Sequence, residues 1–286
     1  MAPLLFTNVE YILLRLVRRF LLPKDLRYLG RYFPYYRPNR SETTPEDTSQ
    51  LYIRWLSQRG RSVAGRTIVE VGSGATNGAA YALVCAGVAR VWCVEPYVRF
   101  DSRQDSVLLQ RLSHVHHRDP AQVASAVTRC DSIHALAPGA DIIVSHSVLE
   151  HVRDPTRLFA QMRAVLSSEG CMLHIVDYRD HFFKYPLHFL QFSNRSWQRL
   201  FDPGDLPRCR LSEHHLALER AGFDVEILHR EEDKAEFERI RPHISADFDL
   251  GDPTLGVLGA VVYCEHGKSL TPDQSTGAER AYVDNA

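Results

Sequence analysis

Two acidic residues and three glycines lie where apolar runs of the sequence end. Residues of these types at this spacing could bind a ligand. Glu70 stands in a β-branched run that is followed by Gly72, Gly74 and Gly78, and Glu95 ends the next apolar run. Glycines let a backbone approach a ligand closely, and a carboxylate at the end of a second strand can accept both ribose hydroxyls. The pattern predicts that an open α/β sheet binds a nucleoside here.

The spacing of the glycines argues against a dinucleotide. The three glycines read G-x-G-x-x-x-G, which is one residue longer than the dinucleotide fingerprint. Glu70 also places a negative charge just before the turn, where a diphosphate would be repelled. A nucleoside that carries a positively charged amino-acid end fits this charge, so a nicotinamide-dependent oxidoreductase is the disfavoured alternative.

The chain resembles the class I S-adenosylmethionine-dependent methyltransferases. The matching residues are Glu70-Val-Gly-Ser-Gly74 with Gly78, then Glu95, then the fourth-strand motif Asp141-Ile-Ile-Val-Ser-His-Ser-Val-Leu-Glu-His-Val152. The resemblance covers residues 50–265. Within the family, the chain is similar to the methyltransferase type 11 proteins. The segment that begins Asp177-Tyr-Arg-Asp-His-Phe is similar to methyltransferases of polysaccharide or small-metabolite pathways.

The resemblance implies that S-adenosyl-L-methionine is the cofactor. It places Glu70 beneath the methionine end and Glu95 on both ribose hydroxyls. Asp131 is the nearest match to an acid that accepts a hydrogen bond from the adenine amino group, with a surface loop acid as the alternative reading. Ser145 and His146 are expected to line the pocket, mainly through their main chain. The predicted cofactor-binding residues are Glu70, Gly72, Ser73, Gly74, Gly78, Glu95, Asp131 and Ser145.

Methyl transfer to a hydroxyl needs a group that removes its proton, and histidines occur at two strand ends. Imidazole changes protonation near neutral pH, which suits it to this role. We predict His181, which follows the fifth strand, as the general base and His146 as the second candidate. His151 lies in a Leu-Glu-His-Val turn that is typical of a structural cap.

The sequence predicts no metal site. Some relatives bind magnesium through an E-x-x-E-H pattern, but the first position here is Ser147, which leaves only Glu150 and His151. One carboxylate and one imidazole are poor ligands for a hard cation that prefers oxygen. The Asn/Asp-Pro-Pro-aromatic signature of nucleic-acid amino methyltransferases is absent after the fourth strand as well.

The composition is that of an ordinary globular protein. The 286 residues are 44% hydrophobic and 24% charged, and the formal net charge is −1. A near-neutral chain has no general attraction for phosphate backbones, so we expect no nucleic-acid partner. The six cysteines form no C-x-x-C pair, which predicts reduced thiols and a cytoplasmic protein. The oligomeric state is left open.

Alternating strand and helix patterns predict an α/β, Rossmann-like, doubly wound fold. By resemblance it has a mostly parallel seven-stranded sheet with an antiparallel last strand, an N-terminal helical extension and an insertion after strand five. The predicted domains are 1–48 as an N-terminal helix and aromatic, basic lid segment, 49–267 as the methyltransferase domain with 178–209 as the acceptor-side insertion, and 268–286 as a disordered tail. Ser41–Gln50 is predicted as a connector and Glu169-Gly170 as a turn into strand five.

The N-terminal segment Val9–Leu22 is too short and too charged to span a bilayer. On a helical wheel the arginines Arg15, Arg18 and Arg19 share one face, and apolar residues share the other. We expect a helix that packs on the domain as a lid. A membrane surface bound through residues 9–22 and an oligomer contact are the alternatives.

The insertion is rich in aromatic residues and arginines. Tyr185, Phe192 and Trp197 are candidates for stacking on a sugar or aromatic ring, and Arg179, Arg195 and Arg208 for binding a phosphate or carboxylate. The alternative is that these side chains form a small core of their own.

We expect O-methylation of a small molecule, a sugar or secondary metabolite. The alternatives are a methyltransferase that acts on a lipid-linked glycan or a protein at a membrane surface, and a nucleoside-binding protein without catalysis.

Overall fold

The computed structural model describes residues 4–20, 44–181, 185–202 and 206–267. Within them a single sheet has seven strands, which are β1 (Thr67–Val71), β2 (Arg90–Val94), β3 (Val127–Cys130), β4 (Ala140–His146), β5 (Leu166–Asp177), β6 (Phe223–Glu232) and β7 (Val257–His266). Their order across the sheet is β3-β2-β1-β4-β5-β7-β6. Only β7 runs antiparallel to its two neighbours. The predicted doubly wound sheet with one antiparallel strand is confirmed.

Helices cover both faces of the sheet. The α-helices longer than three residues are α1 (Leu4–Phe20), α2 (Pro45–Gln58), α3 (Gly78–Cys85), α4 (Ser102–Val115), α5 (Pro120–Ser125), α6 (Pro155–Val165), α7 (Leu211–Arg220) and α8 (Lys234–Ile240). One core contains Phe159 of α6 and Leu218 of α7, and the opposite core contains Leu56 of α2 and Leu83 of α3. The order of strands reverses between β1 and β4, and ligands of such sheets bind at that point, beyond the carboxyl ends.

The predicted connector Ser41–Gln50 is wrong from Pro45 onward, because α2 begins there. Thr44 caps the helix: its hydroxyl accepts a hydrogen bond from the Asp47 N–H at 3.1 Å, and the Asp47 carboxylate accepts one from the Thr44 N–H at 3.0 Å. This is a capping box with proline at the first turn, a signal that the polar composition hid. The helix crosses the predicted boundary between residues 48 and 49.

The predicted turn at Glu169-Gly170 is also wrong. The strand β5 begins at Leu166, directly after α6, and continues through Gly170. Its pairing with β4 shifts register between Ala140 and Ile142, so the glycine lies at an irregular part of the strand. The helix α8, between β6 and β7, was not anticipated from the sequence.

The helix α1 buries Arg15. The helical wheel grouped this residue with Arg18 and Arg19 on one face and did not predict its burial. Arg15 forms an ion pair with Asp180, which is buried as well, and Tyr11 donates a hydrogen bond to the same carboxylate. A residue 165 positions away therefore decides which side of the helix faces inward.

Two predicted segments lie outside the described residues. These are the aromatic and basic stretch Tyr28–Arg40 and the tail 268–286. The insertion is described except for residues 182–184 and 203–205.

Candidate active site

The glycine turn after β1 requires glycine for two different reasons. Gly72 and Gly74 have φ angles of 80° and 70°, in the left-handed region that side chains rarely adopt. At Gly72 a Cβ would also lie 2.2 Å from the Val148 Cγ2 atom. Gly78 begins α3, and a Cβ there would lie 2.8 Å from the Pro45 Cγ atom. The third glycine therefore lets α2 approach the turn closely.

Glu70 is a buried carboxylate that faces a cavity. Its exposed fraction is 4%, and the Cys93 thiol lies 3.9 Å from its Oε2 atom. Burial raises the pKa of Glu70 to about 7, against smaller lowering effects of Cys93 and Arg129. A ligand cation beside this carboxylate would favour its charged form. The contact of Glu70 with the methionine end of a cofactor, which the resemblance implied, stays a prediction.

Glu95 ties the glycine turn to the loop after β2. Its carboxylate accepts hydrogen bonds from the N–H groups of Gly74 at 2.9 Å and of Tyr97 and Val98 at 3.0 Å. These three bonds leave part of the acceptor capacity of the carboxylate available. Glu95 is not among the residues that line the cavity, and its contact with a ribose stays a prediction.

A cavity of about 400 Å³ opens at the carboxyl ends of the strands, a size typical of small-molecule sites. Thr48 and Tyr52 of α2 form one wall, and the glycine turn with Glu70 forms the floor. His146 and Ser147 continue the lining after β4, and the last residues of β5 and parts of β6 and β7 complete it. Of the predicted cofactor residues the cavity therefore brings together Glu70, Gly72, Ser73, Gly74 and Gly78.

Ser145 and Asp131 lie elsewhere. The Ser145 side chain is fully buried, and its hydroxyl lies 2.8 Å from the His174 Nδ1 atom, inside the core. Asp131 is exposed beyond the end of β3. Neither residue lines the cavity. Asp131 therefore lies on the surface, as the alternative interpretation of the sequence had it. Its contact with adenine remains a prediction.

Sequence reasoning missed Arg129, which reaches from β3 across the turn. Its guanidinium donates to the Ser73 hydroxyl at 3.0 Å, to the Asn77 side-chain oxygen at 3.2 Å and to the Gly74 carbonyl at 2.6 Å. It also lies 5.0 Å from the ring centre of Phe100. Arg129 thus holds the turn and the loop after β2 together, and no local motif marks a strand arginine for that task.

The two histidines predicted for catalysis lie at different places. His146 lines the cavity, with its Nδ1 atom 3.4 Å from the Thr48 hydroxyl oxygen. The next residue, Ser147, has a φ of 54°, and such strained backbone is often found at functional sites. His181 is not among the lining residues. Its Nε2 atom lies 3.4 Å from Asp177, and its ring centre lies 5.2 Å from that of His151.

Charged side chains form the wall of the cavity beyond β5. The Asp177 carboxylate accepts a hydrogen bond from Arg179 at 2.8 Å, and Glu231 of β6 lies 3.7 Å from the same guanidinium. Burial acts to raise the pKa of Asp177, but the nearby His181 imidazole and the hydrogen bonds from Arg179 outweigh burial and hold that pKa below its ordinary value. Two carboxylates therefore neutralise Arg179, and carboxylate oxygens dominate this wall.

The aromatic residues of the insertion form a core, which was the alternative to stacking on a ligand in the sequence analysis. Trp197 is buried among leucines and phenylalanines of the insertion, and Tyr185 stacks on His188 with ring centres 4.3 Å apart. The buried Arg208 donates hydrogen bonds to the carbonyls of Phe189 and Phe192, both at 2.7 Å. Trp197, Tyr185 and Arg208 therefore stabilise the insertion, and of the three candidate arginines only Arg179 lines the cavity.

Several other buried polar groups also serve packing. Burial lowers the pKa of His174 and of His188 to about 3, so both rings are neutral. All six cysteines lie in the described part of the chain and are free thiols. Among the described residues, no three His, Cys, Asp or Glu side chains are placed to hold a metal ion.

Comparison with known proteins places the chain in a family. Residues 41–228 match a family model described as a methyltransferase domain. An uncharacterized methyltransferase of Mycobacterium ulcerans and one of Mycobacterium marinum are each 32% identical to this chain over 160 residues. The match covers 54% of this chain and 58% of each relative, so the chain spans little more than half the length of those proteins.

Two solved structures are similar to this chain at lower sequence identity. Phosphoethanolamine N-methyltransferase 2 of Haemonchus contortus, in complex with S-adenosyl-L-methionine, is 16% identical, with 88% of this chain and 59% of that chain covered and a TM-score of 0.48. The YcgJ protein of Bacillus subtilis is 13% identical, with 77% and 99% covered and a TM-score of 0.48. With the family match over residues 41–228, the chain belongs to the methyltransferase domain family that this model describes.

Proposed function

We propose that this protein transfers a methyl group from S-adenosyl-L-methionine to a hydroxyl of a small, uncharged acceptor. The observation that carries the proposal is Glu70, a buried acid at the floor of a cavity and directly before a glycine turn. Keeping a carboxylate out of water is costly unless something compensates for it. The positively charged end of the cofactor would supply that compensation.

The residues around the turn fit this cofactor. The absence of a side chain at Gly74 leaves the backbone there open to an adenosine, whereas Val148 fills the space beside Gly72. Glu70 lines the same cavity. Glu95 would hold the ribose hydroxyls with the acceptor capacity that its three N–H donors leave. The cofactor supplies an electrophilic methyl group on a positively charged sulfur.

The wall beyond β5 favours a polyhydroxyl acceptor over an anionic one. Asp177 and Glu231 present carboxylate oxygens, which accept hydrogen bonds from hydroxyl groups. Arg179 is engaged by both carboxylates and offers little net charge to a phosphate or carboxylate. A neutral sugar or a similar polyol therefore fits better than a phosphorylated or carboxylated metabolite.

We assign the general base to His146, the second candidate of the sequence analysis, because it lines the cavity and His181 does not. His146 would take the proton of the attacking hydroxyl while the new carbon–oxygen bond forms and the carbon–sulfur bond breaks in line. His181 acts on Asp177, at 3.4 Å, and orients the acceptor wall. It is a positioning residue in this scheme.

The cofactor half of the proposal is tested by calorimetry with S-adenosylhomocysteine and with NAD. The wild type should bind the former and ignore the latter, and Glu95→Ala should lose most of the affinity while it stays folded. Uptake of NAD without S-adenosylhomocysteine would refute the cofactor assignment. Unchanged affinity in Glu95→Ala would refute the ribose role alone.

The acceptor half is tested with methyl-labelled S-adenosylmethionine and matched panels of neutral, phosphorylated and carboxylated polyols. The labelled methyl group should appear in a methyl ether of the neutral compounds. His146→Ala should lower kcat about 100-fold or more with unchanged cofactor affinity, whereas His181→Ala should mainly raise KM for the acceptor. Label transferred to an amine would overturn the hydroxyl assignment. Cofactor binding with no turnover on any panel would favour the non-catalytic alternative.

A further inference from the structure

The helix α1 presents three large apolar side chains to solvent. Val9, Leu13 and Phe20 have exposed fractions of 50%, 58% and 61%. Since an α-helix turns by about 100° per residue, the three side chains lie within about 40° of one another around its axis. They form one stripe, which we call the outer stripe. Single exposed apolar residues are ordinary, but apolar residues collected on one face mark a binding surface.

The opposite side of the same helix is firmly attached. Arg15 pairs with Asp180 and lies 4.9 Å from the ring centre of Trp197, and Tyr11 stacks on Phe192 with ring centres 5.6 Å apart. Turning the helix to bury the outer stripe would pull Arg15 away from Asp180 and leave a buried charge without its partner. The exposure of the stripe is therefore fixed by the packing of the inner face.

The charge of the N-terminal sequence indicates what the outer stripe meets. Residues 1–40 contain eight Lys and Arg against two acidic residues, whereas the rest of the chain contains 26 against 33. Arg19, beside Phe20, is exposed. Apolar side chains on a helix within a basic segment fit an anionic lipid surface, where the apolar face enters the headgroup boundary and the cations meet lipid charge.

We propose that α1 docks on an anionic membrane surface through Val9, Leu13 and Phe20. The helix lies in the interface and does not cross it, and no helix among the described residues is long and apolar enough to span a bilayer. Docking has a consequence for the cavity, because Asp180 follows Asp177 by three residues and holds α1 through Arg15. The edge of the cavity that bears Asp177 is thereby joined to the docked helix.

The test is co-sedimentation of the full chain with vesicles of phosphatidylcholine, with and without phosphatidylglycerol. Binding should need the anionic lipid and should weaken as salt is raised. Leu13→Asp, which puts an anion into the outer stripe, should lower the partition coefficient at least about tenfold. Val107→Asp is the matched control, because Val107 on α4 is 62% exposed and lies outside the stripe. It should bind as the wild type does.

Four results would overturn the proposal. These are no binding to either vesicle, equal binding to both, equal loss in the two variants, and a wild-type dimer in sedimentation that Leu13→Asp dissociates. The last would show that a second copy covers the stripe. The affinity for S-adenosylhomocysteine should be unchanged in Leu13→Asp. A loss of that affinity would point to misfolding of the variant, and Phe20→Ser would then be tested in its place. Failure of docking leaves the proposed methyl transfer untouched.

Discussion

Buried charge is handled in opposite ways by two regions of the molecule. We call residues 70–78 with Glu95 the turn region, and α1 with residues 178–181, 185–202 and 206–210 the insertion region. In the insertion region the buried cation Arg15 pairs with Asp180, and Arg210 is bonded to main-chain carbonyls. In the turn region, the hydrogen-bond partner of the buried Glu70 among the described residues is the Cys93 thiol, at 3.9 Å.

The contrast distinguishes charges that hold the fold from a carboxylate that, in the proposed function, a bound cation would compensate. Burial lowers the pKa of Arg210 to about 10, yet the group stays cationic at neutral pH. Burial raises the pKa of Glu70 to about 7, so this carboxyl is close to half-protonated at neutral pH. A group that changes charge easily near neutrality, beside a cavity, is suited to respond to a bound cation.

The largest effect should come from Arg15→Ala, which breaks the ion pair of the insertion region. It removes the guanidinium that pairs with the buried Asp180 carboxylate, so the free energy of unfolding should fall by about 3–5 kcal/mol, as measured by urea denaturation. The double variant Arg15→Met with Asp180→Leu removes both charges and should recover most of that loss. A loss below about 1 kcal/mol in Arg15→Ala would show that the pair is not a structural anchor.

The turn region should respond to pH through Glu70. Its pKa is raised from 4.5 to about 7, so the folded protein keeps a proton that the unfolded chain releases between those values. The stabilising contribution is fully present below pH 4.5 and is lost as pH rises through about 7. The loss amounts to about 3 kcal/mol.

Urea denaturation of wild type and Glu70→Gln across that range isolates the effect of Glu70, because all other groups titrate in both proteins. The difference in unfolding free energy should shift steadily in favour of the variant as pH rises. Affinity of the wild type for S-adenosylmethionine should rise over the same range, since the ionised carboxylate attracts the cation. Parallel pH curves for the two proteins would remove Glu70 as the titrating group.

Local sequence patterns place the glycines and acids of the turn region at strand ends, but they do not predict the contacts of the insertion region. The glycines and acids of the turn lie at strand ends, where the chain's own order brings them together at one sheet edge. The direction of Arg15 depends on Asp180, and the place of Arg129 depends on β3 pairing beside β2. Such long-range partners leave no periodic signal. The wall that α2 contributes was missed because a polar capping box was read as a connector.

A substitution at Gly72 can distinguish the effect of backbone strain from the effect of close contact in the turn region. Gly72→Ala places a Cβ 2.2 Å from Val148, in addition to the strained φ of 80°. Gly65→Ala is the matched control, with a φ of 70° and no atom within 4 Å of its added Cβ. Gly72→Ala should lose about 1–3 kcal/mol more in urea denaturation than the control. Equal losses would mean that Val148 moves aside and that the contact does not constrain the turn.

The smallest effect concerns Arg129, a half-buried cation whose hydrogen bonds hold the turn region together. Its bonds to Ser73, Gly74 and Asn77 hold the turn in one conformation before any ligand arrives. Arg129→Ala should therefore raise the Kd for S-adenosylhomocysteine about tenfold, or about 1.4 kcal/mol. Arg129→Lys keeps the charge but lacks the planar fork that reaches three oxygens, so its Kd should fall between the two. If both variants bind as the wild type does, preorganisation of the turn rests on the glycines and Glu95 alone.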